Sequence, residues 1–527
     1  MPLPNLFQHL SKAPTNPHVP PKPAVFDVAD LYRGPAAEAQ ESPTSDQPLD
    51  EKLRQAYFWI VNNAIISPHY DIEYNEGPAR SFVFGDSKTR VNLPTGQSYS
   101  SFILMPLLNF AVRRRCLMIG GPGRGKTASS VLMGVLAGYS LKQVRQGMVH
   151  GQPQMTISDL IGNPLPADLV NAQSMESIRI AWRQWLGMRV KIVDEYNRIP
   201  TRTQSALLTV MGDNYAEMLN HIYECPDAAW YLTANYDGGG GTYQVIEALR
   251  DRIDIVVMAL HFNTRFLNDL LVRIETDMRP EEVVPADIIF TEAEQDQIYK
   301  QILQVTLPSE LRRRLEFFAS QFEFCEPAAE QLEYKTKDTA KASGRELNQL
   351  FAQETGKDPL KDLGTQTQSG FSVRTLMTLM IFAKALAYFR GNPEVTLEDL
   401  RQIMPFVLHE KMTQDADAAF FDVAGNEVYR SDRISWIRRL FDLACAEYDR
   451  LNLDRDDPVA EFDREFARGL EGVPASEVRS RLTKIERVLG EWSKGHKLYG
   501  NLFDDILKLK YLHQRYVNYL RWLEWKG

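Results

Sequence analysis

The sequence predicts an α/β fold, with a parallel sheet in the first half of the chain and an all-helical second half. Three observations predict it. Short aliphatic or β-branched runs recur at Cys116-Leu117-Met118-Ile119, Val190-Lys191-Ile192-Val193, Trp230-Tyr231-Leu232-Thr233 and Asp254-Ile255-Val256-Val257. Each is separated from the next by enough chain for a crossover helix, as parallel strands require. The first run leads directly into a glycine-rich loop and then a helix-forming stretch, Ala128 to Tyr139. From about Leu267 the strand signal fades and helical periodicity takes over.

The chain has 527 residues, more than one core of about 250–300 residues supports, so two or three domains are expected. Hydrophobic residues at 44% and charged residues at 24% give the balance of a soluble globular protein and exclude wholesale disorder or a collagen-like repeat. The 60 Lys and Arg against 69 Asp and Glu leave a net charge of −9, which weighs against generic duplex binding while leaving room for a local basic channel. Nucleic acid is therefore not the expected partner. The longest apolar run, residues 102–112, is broken by Pro106 and Asn109 and is too short to span a bilayer. The start, Met1-Pro2-Leu3-Pro4-Asn5, lacks the basic and apolar regions of a signal peptide. Cys116, Cys225, Cys325 and Cys445 lie far apart, and the histidines show no HxxxH spacing. No disulfide framework or structural zinc site is expected, and a cytoplasmic location is.

Taken in order, residues 1–50 hold 10 of the 29 prolines and read as an extended arm. Residues 51–265 form the α/β domain, entered by a helix with Leu53, Tyr57, Ile60 and Ala64 on one face. Residues 266–412 form a helical domain with a polar insertion near 323–370, part of it long and exposed, and residues 413–527 a helical, aromatic-rich extension. The triplets Arg113-Arg114-Arg115 and Arg312-Arg313-Arg314 read as solvated helix ends. Tyr511, Tyr516, Tyr519, Trp522 and Trp525 recur at near-helical spacing, which favours a core or docking stripe over a stacking platform for single strands.

The loop Gly120-Gly121-Pro122-Gly123-Arg124-Gly125-Lys126-Thr127 matches GxxxxGK[ST] between a strand and a helix. Glycines let backbone N–H groups point at phosphate oxygens, and the following helix, opening near Ala128, adds its positive end. Lys126 would reach the β- and γ-phosphates of ATP, and the Thr127 hydroxyl would ligate Mg²⁺. A second strand ends in Asp194-Glu195. Asp194 can hold Mg²⁺, and Glu195, turned another way by strand alternation, can polarise a water against the γ-phosphate. The pair favours hydrolysis over transfer to a hydroxyl.

Around these carboxylates the sequence resembles the MoxR family of AAA+ ATPases. Asp194-Glu195-Tyr196-Asn197-Arg198-Ile199-Pro200 followed by Thr203-Gln204-Ser205-Ala206-Leu207-Leu208 and Met211 is similar to the family's DEINRAPPKTQSALLEAM. Asn235, Gly241-Thr242-Tyr243, Glu247-Ala248 and Asp251-Arg252 keep its N-x5-GTY-x3-EA-x2-DRF spacing. Ser372-Val373-Arg374, Ala385-Leu386, Arg390-Gly391, Val395-Thr396 and Glu398-Asp399 resemble its helical lid, and Ser158-Asp159-Leu160-Ile161-Gly162 its PSDVTG segment. The likeness covers roughly residues 91–412. Tyr196 stands where the family has Ile, and Val373 where it has Pro.

The resemblance implies an AAA+ core followed by an all-α lid, and a homo-oligomeric ring, usually hexameric, with nucleotide sites between subunits. It implies that Asn235 is sensor 1, that Arg252 is an arginine finger acting on the neighbouring subunit, and that Arg374 is sensor 2 acting in its own subunit. Arg250 stays open as the finger, since on a strand it would face the same way as Arg252. Segments around residues 163–188 and 218–227 are implied to line the ring's pore. The implied activity is Mg²⁺-dependent ATP hydrolysis coupled to remodelling, activating or assembling a protein client, often with a co-chaperone bearing a von Willebrand factor A domain. The alternative is a nucleic-acid-stimulated AAA+ motor or a restriction-type NTPase subunit.

Overall fold

The computed structural model describes residues 47–67, 69–85, 89–171, 174–235, 247–277, 279–351, 362–453, 457–494 and 498–526. The proline-rich arm up to residue 46, the glycine run at 238–241 with Thr242 and Tyr243, and the acidic break at 454–456 lie outside the described residues.

At the centre is a five-stranded sheet. Its strands are β1 (Arg115–Ile119), β2 (Val149–His150), β3 (Val190–Asp194), β4 (Ala229–Ala234) and β5 (Ile255–Met258), in the order 5-1-4-3-2. All neighbours are parallel, with Leu117 opposite Leu232 and Val256, and Leu232 also opposite Val193. The period of two along each strand divides the core. Cys116, Met118, Val190, Ile192, Tyr231, Ile255 and Val257 face one hydrophobic cluster, while Leu117, Val193, Trp230, Leu232 and Val256 face the other. Both faces are covered, as parallel sheets require.

The first face is covered by α1 (Leu49–Trp59), α2 (Ser101–Val112) and α3 (Lys126–Leu136). Leu53, Tyr57, Ile60 and Ala64 are all buried, the last two in a π-helical turn (Ile60–Ala64) that continues α1. Every residue of α2 is buried, so the longest apolar run of the sequence is a core helix. Each fully buried Leu or Ile there contributes about 1.5–3 kcal/mol. The Tyr231 hydroxyl donates to the Pro106 carbonyl at 2.8 Å, and Asn109 Nδ2 to the Trp230 carbonyl at 3.1 Å, fixing α2 on β4. Among the described residues no helix is long and apolar enough to cross a membrane.

The second face carries α4 (Thr201–Asp213) and the short α5 (Glu247–Arg252). Two antiparallel hairpins, Gly162–Pro164 with Ile180–Trp182 and Tyr215–Met218 with His221–Glu224, occupy the segments that the family resemblance assigns to the pore. After β5 come α6 (Leu267–Glu275), α7 (Glu292–Gln304) and α8 (Ser309–Ser320). The lid pairs α9 (Val373–Phe389) with α10 (Leu397–Leu408), and α11 (Arg433–Leu451) packs beside them.

Several lid residues of the MoxR-like stretch have structural tasks. Thr396 and Asp399 form the capping box of α10. The fully buried Asp399 also accepts from Arg390 and from the Tyr74 hydroxyl, both at 2.7 Å, joining the lid to the first domain. The C-terminal helices α12 (Pro458–Ala467), α13 (Ala475–Trp492) and α14 (Gly500–Lys526) share a separate core around Phe462, Leu482, Ile485, Leu512 and Tyr516.

Three expectations change. Among the described residues, the stretch near 323–370 is less exposed than its polarity suggests, because Cys325, Ala340, Leu347 and Leu350 make a small core and the buried Lys337 ammonium donates to the carbonyls of Gly364 and Thr367. Arg113 and Arg115 are not solvated, since Arg113 binds Asp296 at 2.5 Å and Arg115 donates to the Met211 carbonyl at 2.5 Å. In the second triplet, Arg314 pairs with Asp449 at 2.7 Å and lies over the Tyr448 ring.

Candidate nucleotide-binding site

The glycine-rich loop leaves β1 and turns into α3 through Gly123 (φ +71°) and Gly125 (φ +79°), both in the left-handed region that favours glycine. Lys126 is the first residue of α3, and its ammonium folds back onto the loop, donating to the carbonyls of Gly120 at 2.6 Å and Gly121 at 2.8 Å. Burial lowers its pKa from the ordinary value, against the pull of Asp194 and Glu195. Arg124 lies back against the end of β5, 3.4 Å from the Ala259 carbonyl. Pro122 and Gly121 form the loop's crest and Ala128 the first turn of α3.

Asp194 ends β3 beside the loop. Its Oδ1 accepts from the Thr127 hydroxyl at 3.0 Å and from the Thr233 hydroxyl at 2.6 Å. Thr233 Oγ1 in turn accepts from the Glu195 N–H at 3.0 Å. On the other side His150 Nδ1 lies 3.6 Å from Asp194 Oδ2. Glu195 is not a continuation of the strand: its backbone is left-handed, φ +53° and ψ +48°, at a cost of about 1–2 kcal/mol. That turn, rather than strand alternation, aims its carboxylate. Gly151 permits it, because a Cβ there would stand 2.2 Å from the Glu195 carbonyl oxygen.

Asn235, just past β4, joins the two halves. Its Oδ1 accepts from Lys126 Nζ at 2.9 Å, and its Nδ2 donates to Glu195 Oε1 at 3.0 Å. These partners fix the amide orientation, since the reverse would set donor against donor. Arg198 lies 3.2 Å from the other oxygen of Glu195. Lys126, Thr127, Asp194, Glu195 and Asn235 thus form one hydrogen-bonded set.

The two candidate arginines stand elsewhere. Residues 247–252 are helical, not a strand, so Arg250 and Arg252 do not share a face. Arg250 is exposed, while Arg252 donates to the Leu208 carbonyl at 2.5 Å, in space left by Gly212 at the end of α4. Arg374, in the first turn of α9, pairs with Asp251 at 2.6 Å, and Lys411 donates to the Asp251 carbonyl at 2.6 Å. Among the described residues neither Arg252 nor Arg374 contacts residues 120–128. The lid's packing seats Arg374 on Asp251, the residue that precedes Arg252 in the chain.

No motif of the sequence marks the cavity beside this loop. A cavity of about 290 Å³ opens beside Gly123, Arg124 and Gly125, walled by Ile65, Ser67, Phe102, Leu260, Leu270 and Arg273. His69 and His261 stand at its wall with rings 4.9 Å apart, linked by His69 Nε2 to the His261 carbonyl at 2.9 Å. These residues come from four separate segments with no motif of their own. Thr233 was read only as a strand residue, and His150 and Gly151 carried no signal. Among the described residues no cluster of three or more His, Cys, Asp or Glu could hold a metal ion. The Thr127 hydroxyl with the Asp194 carboxylate remains the oxygen pair suited to a cation beside phosphate.

Residues 115–255 match the ATPase family associated with various cellular activities (AAA), and residues 363–427 match the AAA lid domain. The chain carries an AAA-type ATPase domain followed by an AAA lid. Among solved structures, the chain is similar to a provisionally assigned ATPase from Cytophaga hutchinsonii, at 16% identity, covering 74% of this chain and 94% of that one, with a TM-score of 0.46. No curated protein matches the sequence.

Proposed function

We propose that this protein, with its AAA domain and lid, is a Mg²⁺-dependent ATPase of the MoxR type that assembles into a ring and uses ATP hydrolysis to remodel, activate or assemble a protein client. The observation that carries the reading is the Asn235 carboxamide linking Lys126 to Glu195 beside the Thr127–Asp194 pair.

Thr127 and Asp194 offer hard oxygen donors 3.0 Å apart on adjoining elements, which suits Mg²⁺ with its remaining positions left to phosphate and water. When bound, Mg²⁺ supplies charge neutralisation at the β- and γ-phosphate oxygens. Lys126 exchanges its loop carbonyls for phosphate oxygens. Glu195, held by Asn235, polarises the attacking water, and its left-handed backbone keeps the carboxylate aimed at the loop. The cavity beside Gly123 to Gly125 takes the base.

Arg252 acts from a second subunit, and Arg374 completes the site from the lid. Arg374 is held by Asp251 and Arg252 by the Leu208 carbonyl, so the two guanidiniums are anchored to different partners. Cationic stabilisation of the transferring phosphoryl group is then conditional on assembly. The protein client, and a partner with a von Willebrand factor A domain, rest on the MoxR-like stretches around Asp194, Asn235 and Arg374.

Subunit mixing tests the reading. Arg252→Ala alone should lose turnover, and Lys126→Ala alone should lose it too. A mixture should regain part of it, because an intact loop then meets an intact arginine at some interfaces. A mixture as inactive as its parts would remove the shared site. A pull-down with Glu195→Gln in ATP should retain the client.

A further inference from the structure

Among the described residues, two elements leave an apolar side uncovered. The hairpin of Arg80–Phe84 and Thr89–Leu93 stands away from the body, and every residue of its first strand is exposed. Its register, Arg80 opposite Leu93 and Phe82 opposite Val91, puts Phe82, Phe84, Val91 and Leu93 on one face, each between 43% and 57% exposed. The other face carries Val83 and Arg90 with the Ser81–Asn92 hydrogen bond. A two-stranded ribbon with an uncovered apolar face is not stable by itself in water. The second element is α6, which has no buried residue. Its inner side, Leu270 and Arg273, lines the base cavity, and Arg273 donates to the Ala64 carbonyl at 2.6 Å. Its outer side carries Leu267, Leu271 and Ile274 at i, i+4 and i+7, between 48% and 75% exposed.

We propose that the apolar face of the 80–93 hairpin packs on the Leu267–Leu271–Ile274 stripe of a second copy of this chain. The two faces do not cover each other within one chain, since both are open there. They are close in length: five strand residues span about 17 Å and nine helical residues about 14 Å. They match in charge. Arg80 shares the hairpin's apolar face, and the hairpin has no described acidic residue. The helix stripe is followed by Glu275 and Asp277, which stand outside every ion pair among the described residues. The contact is heterologous, joining two different patches, and such contacts propagate into rings or filaments. Because the inner side of α6 lines the base cavity, the contact borders the site that the ring reading completes from a neighbour. The inference rests on that reading only for its closure into a ring.

Assembly of the full chain is followed by analytical ultracentrifugation with ATP, in a Glu195→Gln background that keeps the nucleotide. Binding of a fluorescent ATP analogue by each variant reports folding. Phe82→Asp with Val91→Asp, and separately Leu271→Asp with Ile274→Asp, should each weaken assembly about a hundredfold or more. Val83→Asp, on the opposite hairpin face, should leave it unchanged. Mixing the two double variants should give dimers and nothing larger, because each pair keeps one intact contact. For a readout that tolerates poor folding of the charged variants, Phe82→Cys and Leu271→Cys on separate chains should yield an oxidised dimer only when mixed.

Rings indifferent to both double variants would assign these faces to another partner and overturn the contact alone. So would disruption by both without dimers on mixing, or a cysteine pair that never crosslinks. A parent protein monomeric at every concentration with ATP would overturn this contact together with the ring.

Discussion

Asn235 donates its Nδ2 to Glu195 Oε1 at 3.0 Å, so the residue past one strand positions the carboxylate past its neighbour. In Asn235→Ala, turnover should fall about a hundredfold while nucleotide affinity changes little, because Lys126 can still exchange its loop carbonyls for phosphate oxygens. Glu195→Gln should fall further, by about 10²–10⁴. A coupled ATPase assay and a fluorescent-nucleotide titration separate the two quantities. Unchanged turnover in either variant would take that residue out of the chemistry.

Thr127 and Asp194 share a hydrogen bond at 3.0 Å where the cation is expected. Asp194→Asn should raise the Mg²⁺ concentration needed for half-maximal turnover about tenfold or more, with ATP binding in EDTA unaltered. A Mg²⁺ titration at fixed ATP gives the result, and an unshifted midpoint would place the metal elsewhere.

Arg374 and Asp251 are both nearly half exposed, so their ion pair is worth only about 0.2–1 kcal/mol of stability. Arg374→Ala should barely move the thermal midpoint yet lower turnover strongly. Mixing it with Lys126→Ala distinguishes the two possible geometries: partial recovery means Arg374 serves the neighbour, and no recovery means it serves its own subunit.

Lys191 is wholly buried on β3, three residues before Asp194, and its ammonium donates to the carbonyls of Trp185, Leu186 and Met188 at 3.3, 2.6 and 2.7 Å. Lys191→Met keeps the shape and strands those acceptors. It should destabilise the first domain by about 3 kcal/mol, read as a lower midpoint in thermal denaturation.

Asp505 near the start of α14 is pushed up to about 7 by burial, then by Asp457, Asp504 and Glu316. The folded chain therefore holds a proton that the unfolded chain, at 3.8, releases. The stability tied to this group is present below the unfolded value and is lost as pH rises through about 7. Asp505→Asn should raise the thermal midpoint at pH about 8 more than at pH about 4. An equal shift at both would show that Asp505 does not titrate in that window.

The parallel sheet, four of its five strands, the glycine-rich loop and the Asp194–Glu195 pair were legible in the sequence, because strand periodicity and phosphate cradling are local, whereas the two-residue strand Val149–His150 is too short to show a period. The lid was legible for the same reason, since Ser372 and Thr396 cap helices that start within three residues of them. Contacts among distant segments were not. The cavity beside the loop draws on residues near 65, 102, 124, 260 and 270, and Thr233 holds Asp194 from another strand. Only the packing of the lid decided that Arg374 meets Asp251 and not the loop, and only the buried side of each element decided that the 80–93 hairpin and α6 remain uncovered. Hydrogen-bond distances and burial depend on how remote segments meet, and that is set by tertiary packing rather than by any one stretch of chain.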